Sequence, residues 1–248
     1  MRLFQYWDSG QPPEDVAPLI EAIRADNPEH QHRLYDREAA GWLIAKHFGP
    51  RHRRAFDDCA VPAMQADYFR LCVLLRYGGV YIDADGHSIR PISGLLAATP
   101  HDLMVTLDGY LTTGVMAFRK PNHPFLGAVL ELATDNIEHR RFANVYLCTG
   151  PPVSDAVRAV VDPAWRQAAH DAAGDWDRGM RFGQILDRAR EIVAPTPELA
   201  AAFRSIRLIT VDELSAWVST KRPAYKSTAQ DWRHWEGSIY AGERGAEP

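Results

Sequence analysis

Two aspartates, Asp83 and Asp85, stand at alternate positions directly after the short apolar segment 80–82. If that segment is a strand that continues through Ala84, both carboxylates point to the same side, because successive strand side chains alternate. Neighbouring carboxylates raise each other's pKa unless a cation lies between them. Mg²⁺ and Mn²⁺ suit such a position, since one or two carboxylates, water and substrate phosphate oxygens hold them. Aspartate and glycine also favour turns, so this pair taken alone favours a solvated turn over a metal site.

Two other carboxylate sites share part of this pattern. A calcium loop of the EF-hand type beginning at Asp83 needs glycine and glutamate where this chain has Ser88 and Gly94, so that loop is excluded. The segment VYIDADG (residues 80–86) also resembles the first motif of haloacid-dehalogenase-type phosphatases, with Asp83 as the nucleophile. Those proteins carry threonine where this chain has His87, and they place the motif on their first strand, whereas two strand–helix units precede it here. The phosphatase remains an alternative.

The helix that precedes the aspartates carries a charged pair on its apolar side. Apolar residues recur at helical spacing over residues 61–77, and Asp67 falls between Met64 and Leu71 on the stripe that faces the core. Arg70 follows Asp67 by three residues. An ion pair at this spacing is most often a surface pair, worth about 0.3–0.5 kcal/mol. An acid on the core-facing stripe instead indicates a cavity or a ligand there.

The segment QADYFRLCVLLRYGGVYIDADGHSIRPI (residues 65–92) resembles the sugar-binding D-x-D region of family 32 glycosyltransferases. The shared pattern is an Ala-Asp-x-x-Arg helix, Tyr-Gly-Gly, an apolar strand and D-x-D, and it is also found in the clostridial glucosylating toxins. Similarity extends over roughly residues 3–160. The resemblance implies a GT-A-type nucleotide-sugar-binding fold, a Rossmann-like mixed sheet flanked by helices. It also implies a nucleotide-sugar donor, a Mn²⁺ or Mg²⁺ ion and retention of anomeric configuration.

Matched residue by residue, the resemblance implies roles for two residues of the first strand and two of the helix. Trp7 would stack on the nucleotide base, with Gln5 beside it. A core tryptophan at the end of a strand is an equally good interpretation of Trp7 from the sequence alone. Asp67 and Arg70 would bind the donor sugar and the neighbouring diphosphate.

The same match implies roles for the D-x-D motif itself. Asp85 would ligate the metal, and Asp83 would contact ribose or sugar hydroxyls and the metal indirectly. Thr113 precedes a glycine where relatives often have asparagine, and it remains an expected substrate-binding residue. The predicted catalytic residues are Asp67, Arg70, Asp83 and Asp85.

The C-terminal part departs from the family pattern. Many relatives have histidine followed by Ser-Trp, whereas this chain offers Lys226, Gln230 and Asp231 before Trp232. Trp232 would bind substrate from a closing loop, and a packing role fits it equally well. This departure removes the family's pattern for a third metal ligand from this part, and Asp231 and His234 are the candidates that remain there.

The remaining elements predict one α/β domain over residues 1–248. Strand–helix alternation fills the first 50 residues, where Gly49-Pro50 is expected to end the second helix. Residues 162–204 indicate an added helical segment, and residues 237–248 a loosely ordered tail. Strands are predicted at 4–7, 32–35, 80–82, 103–107, 115–118 and 206–211.

Composition excludes several classes of protein. The net charge of −4 and the pI near 6.2 give no basic surface for nucleic acid. No apolar run of about 18 residues could form a transmembrane segment, and the first residues lack an apolar signal core. Three cysteines without C-x-x-C spacing predict buried free thiols in a reducing compartment. We expect a cytoplasmic protein, with a peripheral position at the inner membrane face as the other option.

These features predict a metal-dependent, retaining glycosyltransferase. It would move a hexose from a UDP- or GDP-sugar to a glycan, a lipid-linked acceptor or another hydroxyl acceptor, as in surface polysaccharide synthesis. The alternatives are the haloacid-dehalogenase-like phosphatase with Asp83 as nucleophile and a non-catalytic nucleotide-sugar-binding protein.

Overall fold

A mixed six-stranded sheet forms the centre of the molecule, whose computed structural model describes residues 1–166, 179–220, 226 and 231–242. The strands are β1 (Arg2–Tyr6), β2 (Gln31–Tyr35), β3 (Gly79–Ile82), β4 (Gly86–Ser88), β5 (Asp102–Leu107), β6 (Tyr110–Phe118), β7 (Ile206–Thr210) and β8 (Val218–Thr220). The order in the main sheet is β2-β1-β3-β6-β5-β7, and β4 pairs with β8 separately. Only β6 runs against its neighbours in this sheet, so β1, β2, β3, β5 and β7 share one direction.

Helices cover both faces of the sheet because strand side chains alternate between two apolar clusters. Phe4 and Tyr81 enter the larger cluster, whereas Leu3 and Val80 enter the smaller one. This arrangement confirms the predicted α/β class. The helices are α1 (Ala17–Asp26), α2 (Arg37–Asp58), α3 (Pro62–Tyr77), α4 (Ile92–Ala98), α5 (Pro124–Glu138), α6 (Val145–Cys148), α7 (Pro151–Val161), α8 (Gly179–Ile192), α9 (Pro197–Arg204) and α10 (Val211–Ser215).

Helix α3 and strand β3 are joined by a bend that requires glycine. Pro62 occupies the first turn of α3, where a missing N–H costs nothing. The helix ends at Gly78 with φ of 62°, and Gly79 follows with φ of 109°. A Cβ at Gly79 would lie 2.7 Å from the carbonyl oxygen of Arg2. The bend therefore packs directly on β1 and turns the chain from the helix into the centre of the sheet.

Several boundaries differ from the sequence prediction: β1 and β6 begin earlier than predicted, and the short strands β4 and β8 were not predicted. Helix α2 does not end at Gly49-Pro50 but kinks there, with Gly49 at φ of 81°, and continues to Asp58. Both halves bury apolar side chains in the larger cluster, so the helix resumes after the break. Residues 237–242, predicted as the start of a loose tail, are held to the core: Tyr240 pairs with Cys59 in an isolated bridge and is 5% exposed.

The added helical segment packs on the main body where it is described. Helix α8 lies against α7, and Ile185 and Ala189 belong to the larger apolar cluster. Residues 167–178 lie outside the described part, and the predicted boundaries 162–204 remain a prediction. No helix in the described ranges combines the length and apolar character that a bilayer crossing requires.

The three cysteines are fully buried free thiols, as predicted. Burial raises the pKa of Cys59 and Cys72 well above the usual range, and it raises that of Cys148 to about 12. The Cys59 thiol donates to the Ala55 carbonyl oxygen at 3.3 Å. The sulfur of Cys148 lies 3.6 Å from the hydroxyl of Tyr240. Cys59 and Cys148 therefore both lie where the C-terminal residues meet the core.

Candidate active site

A cavity of about 530 Å³ opens at the carboxyl ends of β1 and β3, beside the first half of β6. Such an edge of an α/β sheet is where ligands commonly bind. Side chains from α3, from the segment after β3 and from the C-terminal part surround it. The cavity brings together six predicted site residues: Trp7, Asp67, Arg70, Asp83, Asp85 and Thr113.

The guanidinium of Arg70 ties three elements together. It donates from Nη2 to Asp83 Oδ1 at 2.8 Å and lies 3.1 Å through Nη1 from Asp67 Oδ1. Nη1 also donates to Thr113 Oγ1 at 2.7 Å. Its carbon lies 4.8 Å from the centre of the Tyr81 ring, and Arg70 is only 5% exposed. One buried cation thus fixes the relative positions of α3, β3 and β6.

Asp83 and Asp85 reach the cavity from a turn and not from a continued strand, which corrects the premise that a strand runs through Ala84. Strand β3 ends at Ile82, and the Gly86 N–H donates to the Asp83 carbonyl oxygen at 2.9 Å. Antiparallel β6 extends past that end, and its Gly114 carbonyl accepts from the Asp83 N–H at 2.8 Å. Both carboxylates nevertheless line the same cavity.

Gly114 leaves the space that the Asp83 carboxylate occupies. A Cβ at this position would lie 2.8 Å from Asp83 Oδ2, closer than side-chain atoms normally approach. The Asp83 carboxylate therefore lies directly against the backbone of β6 at Gly114. The glycine that follows Thr113 is explained by this approach and not by the need for a positive φ angle.

Burial disfavours the ionised forms of Asp67 and Asp83. Burial raises the pKa of Asp83 to about 6, Arg70 opposes that rise, and the charges of Asp85 and Asp67 add to it. Burial likewise raises the pKa of Asp67, against the effect of Arg70. Burial lowers the pKa of Arg70, but the two paired carboxylates more than reverse this and raise it overall. A further positive charge in the cavity would relieve the repulsion between the acids.

The two candidate residues of the first strand have different positions. Trp7 lines the cavity, half-buried, and packs against the small cluster formed by Val16, Ile20 and Ala84. Gln5 is fully buried and does not line the cavity, which corrects the prediction of a direct substrate contact. Its side chain lies on the sheet face opposite to Tyr6, because strand side chains alternate, and its Nε2 donates to the Asp83 carbonyl oxygen at 3.3 Å. Gln5 therefore stabilises the turn at Asp83 without facing the cavity.

The side chains present fit a divalent ion held partly by substrate and water. Asp83 and Asp85 both face the cavity, and the ammonium of Lys226 contacts Asp85 Oδ2, so a cation already accompanies this carboxylate. Within the described ranges, no group of three or more His, Cys, Asp or Glu side chains forms a complete metal site. A Mg²⁺ or Mn²⁺ ion commonly takes one or two carboxylates and completes its shell with water and phosphate oxygens.

The C-terminal candidates do not supply a third ligand. Asp231 is 1% exposed, and its two oxygens accept from the backbone N–H and the Nη1 of Arg233 at 2.8 Å and 2.7 Å. His234 does not line the cavity. Trp232 lies in a 3₁₀ turn, but its side chain is outside the described part, as is Gln230, so its predicted substrate contact stays a prediction.

Among the cavity residues that were not predicted from the sequence are Arg233 and Tyr146. Arg233 lies in an irregular C-terminal stretch, and Tyr146 lies on the four-residue helix α6. Neither segment shows an apolar period that would place a side chain at the cavity. Their proximity depends on contacts between residues far apart in the chain.

Comparisons with known proteins find sequence similarity to glycosyltransferases. Residues 13–102 match the family described as "Glycosyltransferase sugar-binding region containing DXD motif". The chain is 29% identical over 93 residues to the initiation-specific alpha-1,6-mannosyltransferase of Schizosaccharomyces pombe, covering 35% of this chain and 24% of that protein. It is 26% identical over 171 residues to inositol phosphoceramide mannosyltransferase 3 of Schizosaccharomyces pombe, covering 66% of this chain and 45% of that protein. The chain spans less than half the length of these relatives.

A solved structure shows the same fold. The protein described as PaToxG glycosyltransferase superposes with a TM-score of 0.54 at 16% identity, over 88% of this chain and 87% of that chain. The sequence comparisons confirm the resemblance to D-x-D glycosyltransferases. The solved structure confirms the GT-A-type fold. The phosphatase alternative loses its support, because its motif belongs on a first strand and the aspartates here follow β3.

Proposed function

We propose that this chain is a metal-dependent, retaining hexosyltransferase that moves a hexose from a nucleotide sugar to a hydroxyl acceptor. The observation that carries the proposal is the Asp67–Arg70–Asp83 network in the wall of one cavity that Asp85 and Trp7 also line. The cavity volume of about 530 Å³ lies within the usual range of small-molecule sites.

The donor would lie along the sheet edge. Trp7 offers a ring face for the nucleotide base, a contact worth about 1–3 kcal/mol in nucleic-acid sites. Asp67 and Asp83 can accept hydrogen bonds from sugar or ribose hydroxyls, and Thr113 lies beside them. Either a UDP-hexose or a GDP-hexose is compatible with this arrangement.

The chemical step needs charge stabilisation at the leaving group. The bond between the sugar C1 and the phosphate oxygen breaks, and its electron pair leaves with the nucleoside diphosphate. The acceptor oxygen forms the new bond to C1, and its proton passes to the departing phosphate. Arg70 stabilises the developing negative charge from a fixed position. Retention follows from the resemblance to retaining enzymes, and no covalent nucleophile is assigned.

Mn²⁺ or Mg²⁺ is the proposed cofactor. Asp85 would ligate it, and Asp83 would contact it indirectly through the same cavity wall. When bound, the ion supplies Lewis-acid stabilisation of the diphosphate.

The acceptor would be a glycan, a lipid-linked molecule or another hydroxyl compound, as in surface polysaccharide synthesis. By its name, one Schizosaccharomyces pombe relative transfers mannose to a phosphate-bearing lipid, which favours a lipid-linked acceptor. The buried thiols support a reducing compartment, and so a cytoplasmic location with the inner membrane face as the other option.

A thermal-shift screen tests the donor site. UDP- and GDP-hexoses are added with and without Mn²⁺, and one of them should raise the melting temperature by about 5–11 °C at 100 times its Kd. Asp85→Ala should lose the part of the shift that depends on Mn²⁺. If no nucleotide sugar changes the melting temperature in Mn²⁺, the donor site does not exist.

A non-catalytic nucleotide-sugar-binding protein is the second candidate, and the contact of Lys226 with Asp85 favours it. It predicts the same thermal shift without release of nucleoside diphosphate. A coupled assay for nucleoside diphosphate, run on the donor that gives the largest shift, distinguishes the two functions.

A further inference from the structure

The cavity extends across three neighbouring strands, with one end at β1 and the other at β6. Trp7 follows β1, Asp83 follows β3, and Thr112 belongs to β6, and these strands lie side by side in that order. The cavity thus runs along the sheet edge from Trp7, past Asp83 and Arg70, to β6. A nucleotide sugar with its base at Trp7 and its sugar at Arg70 leaves the β6 end unoccupied.

Helix α6 adjoins the donor-sugar residue Asp67, and it leads into α7, which packs on β6. Thr149, at the end of α6, donates from Oγ1 to Asp67 Oδ2 at 3.4 Å. Tyr146 lies on the same short helix, lines the cavity and is 43% exposed. An exposed aromatic ring next to the sugar position offers a flat apolar face for the C–H side of a second sugar ring.

A guanidinium lies beside that ring. Arg233 lines the cavity and makes a side-chain hydrogen bond with Tyr146. The carboxylate of the buried Asp231 accepts hydrogen bonds from the backbone N–H of Arg233 at 2.8 Å and from Arg233 Nη1 at 2.7 Å. Two oxygens of one buried carboxylate therefore fix both the backbone and the head group of Arg233. A fixed guanidinium recognises planar anionic groups better than a mobile ammonium does.

We propose that Tyr146 and Arg233 form an acceptor subsite for a sugar ring that carries a negative charge, either a carboxylate or a phosphate. The ring packs on Tyr146, the anionic oxygens accept from Arg233, and the attacking hydroxyl points toward Asp67 and the donor sugar. The proposal rests on the proposed function. A donor-diphosphate role for Arg233 is the competing assignment. With the base at Trp7 and the sugar at Arg70, the diphosphate would instead lie between Trp7 and Asp83.

Equilibrium binding of three probes tests the subsite. The full chain is first saturated with Mn²⁺ and the nucleoside diphosphate, UDP or GDP, of the nucleotide sugar that gives the largest thermal shift. Titrations then compare p-nitrophenyl glucuronide and mannose 6-phosphate with the neutral p-nitrophenyl mannoside. The anionic probes should bind roughly tenfold or more tightly than the neutral one. Comparison of glucuronide with phosphate shows which anion the subsite takes.

Variants separate the two residues and the competing assignment. Arg233→Gln should weaken both anionic probes by roughly 10- to 100-fold and leave the neutral probe within about threefold. Arg233→Lys keeps the charge and should restore part of the affinity, and Tyr146→Ala should weaken all three probes. Arg204→Gln is the matched control, because Arg204 is exposed and precedes β7 at the opposite edge of the sheet.

The outcomes distinguish this inference from the proposed function. If no nucleoside diphosphate sugar stabilises the wild-type protein, the donor site itself fails. If a donor binds but the wild type prefers no anionic probe, or binds none of the three, the subsite proposal is overturned. A loss of nucleotide affinity in Arg233→Gln, with unchanged probe binding, would assign Arg233 to the diphosphate and also overturn it.

Discussion

Replacement of Arg70 by methionine is the most demanding test of how the site is built. The methionine keeps an unbranched chain against Tyr81 but removes the charge that lies 3.1 Å from Asp67 and 2.8 Å from Asp83. The hydrogen bond to Thr113 at 2.7 Å is lost as well. Two carboxylates then face each other with no cation from the helix between them.

The magnitude follows from burial. The side chains of Arg70 and Asp67 are 6% and 11% exposed, so this half of the network is cut off from water, whereas Asp83 at 33% remains partly solvated. Removal of one partner from a buried ion pair costs about 3–5 kcal/mol. For a chain of this size that loss corresponds to a melting temperature lower by about 6–20 °C. Most of the loss should come from Asp67, because it is the more deeply buried acid.

A double-mutant cycle measures that attribution. Urea unfolding is carried out on the wild type, Arg70→Met, Asp67→Asn and the double variant at neutral pH. The double variant should be more stable than Arg70→Met, with a coupling free energy of about 0.5–3 kcal/mol. Arg70→Lys retains the charge without the planar fork and should fall between the wild type and Arg70→Met. Additive effects of the two substitutions, or an unchanged midpoint in Arg70→Met, would refute the view that Arg70 compensates the buried acid.

Three further predictions concern neighbouring features. Gly114→Ala places a methyl group 2.8 Å from Asp83 Oδ2, so the carboxylate must move and donor affinity, measured by thermal shift, should fall at least about tenfold. Lys226→Met removes the ammonium from Asp85, so Mn²⁺ should bind about fivefold more tightly in a titration followed by electron paramagnetic resonance. Burial raises the pKa of Asp155 to about 7, so the native state binds the extra proton and loses stability as pH rises from about 4 through 7. In Asp155→Asn the unfolding free energy should fall less between pH 5 and pH 8 than in the wild type.

Matched controls exist for each of these variants. Gly127→Ala adds a methyl group with no atom within 4 Å and should leave donor affinity unchanged. Lys46→Met removes a lysine that lies 4.5 Å over the exposed Trp42 ring and should leave Mn²⁺ affinity unchanged. Asp187→Asn, at a side chain 70% exposed, should keep the wild-type pH profile. A control that behaves like its test variant would contradict the corresponding prediction.

Local sequence patterns predicted the elements that carry the site. The apolar period of α3 placed Asp67 and Arg70 on its buried side, and β-rich residues between two glycines predicted β3. The resemblance to D-x-D glycosyltransferases then implied that Asp83 and Asp85 share one site with Asp67. These predictions succeed because α3, the glycine bend and β3 are consecutive in the chain, and the bend alone brings them together.

The features that local sequence patterns did not predict depend on contacts between residues far apart in the chain. The Asp83 turn depends on hydrogen bonds to β6, about 30 residues away in the chain, and the sequence gives no register for that pairing. Gln5 has the right residue type for substrate binding but the wrong strand face. The predicted end of α2 at Gly49 is a kink in the structure. The helix continues beyond it because both halves pack on the core, although Gly-Pro locally favours a helix end. Arg233 reaches the cavity through Asp231, and no local period records that contact.

The three buried thiols can be used to measure local unfolding, because each reacts with an alkylating reagent only when its surroundings open. Cys72 lies within α3, so an alkylating reagent should reach it only when the central helix unfolds. Cys59 and Cys148 instead lie beneath Tyr240, so release of the C-terminal residues alone should expose them. Faster alkylation of Cys59 and Cys148 than of Cys72, read by peptide mass spectrometry, would show that the wall carrying Arg233 can detach while the sheet stays folded. Equal rates at all three would mean that the wall and the sheet open as one unit.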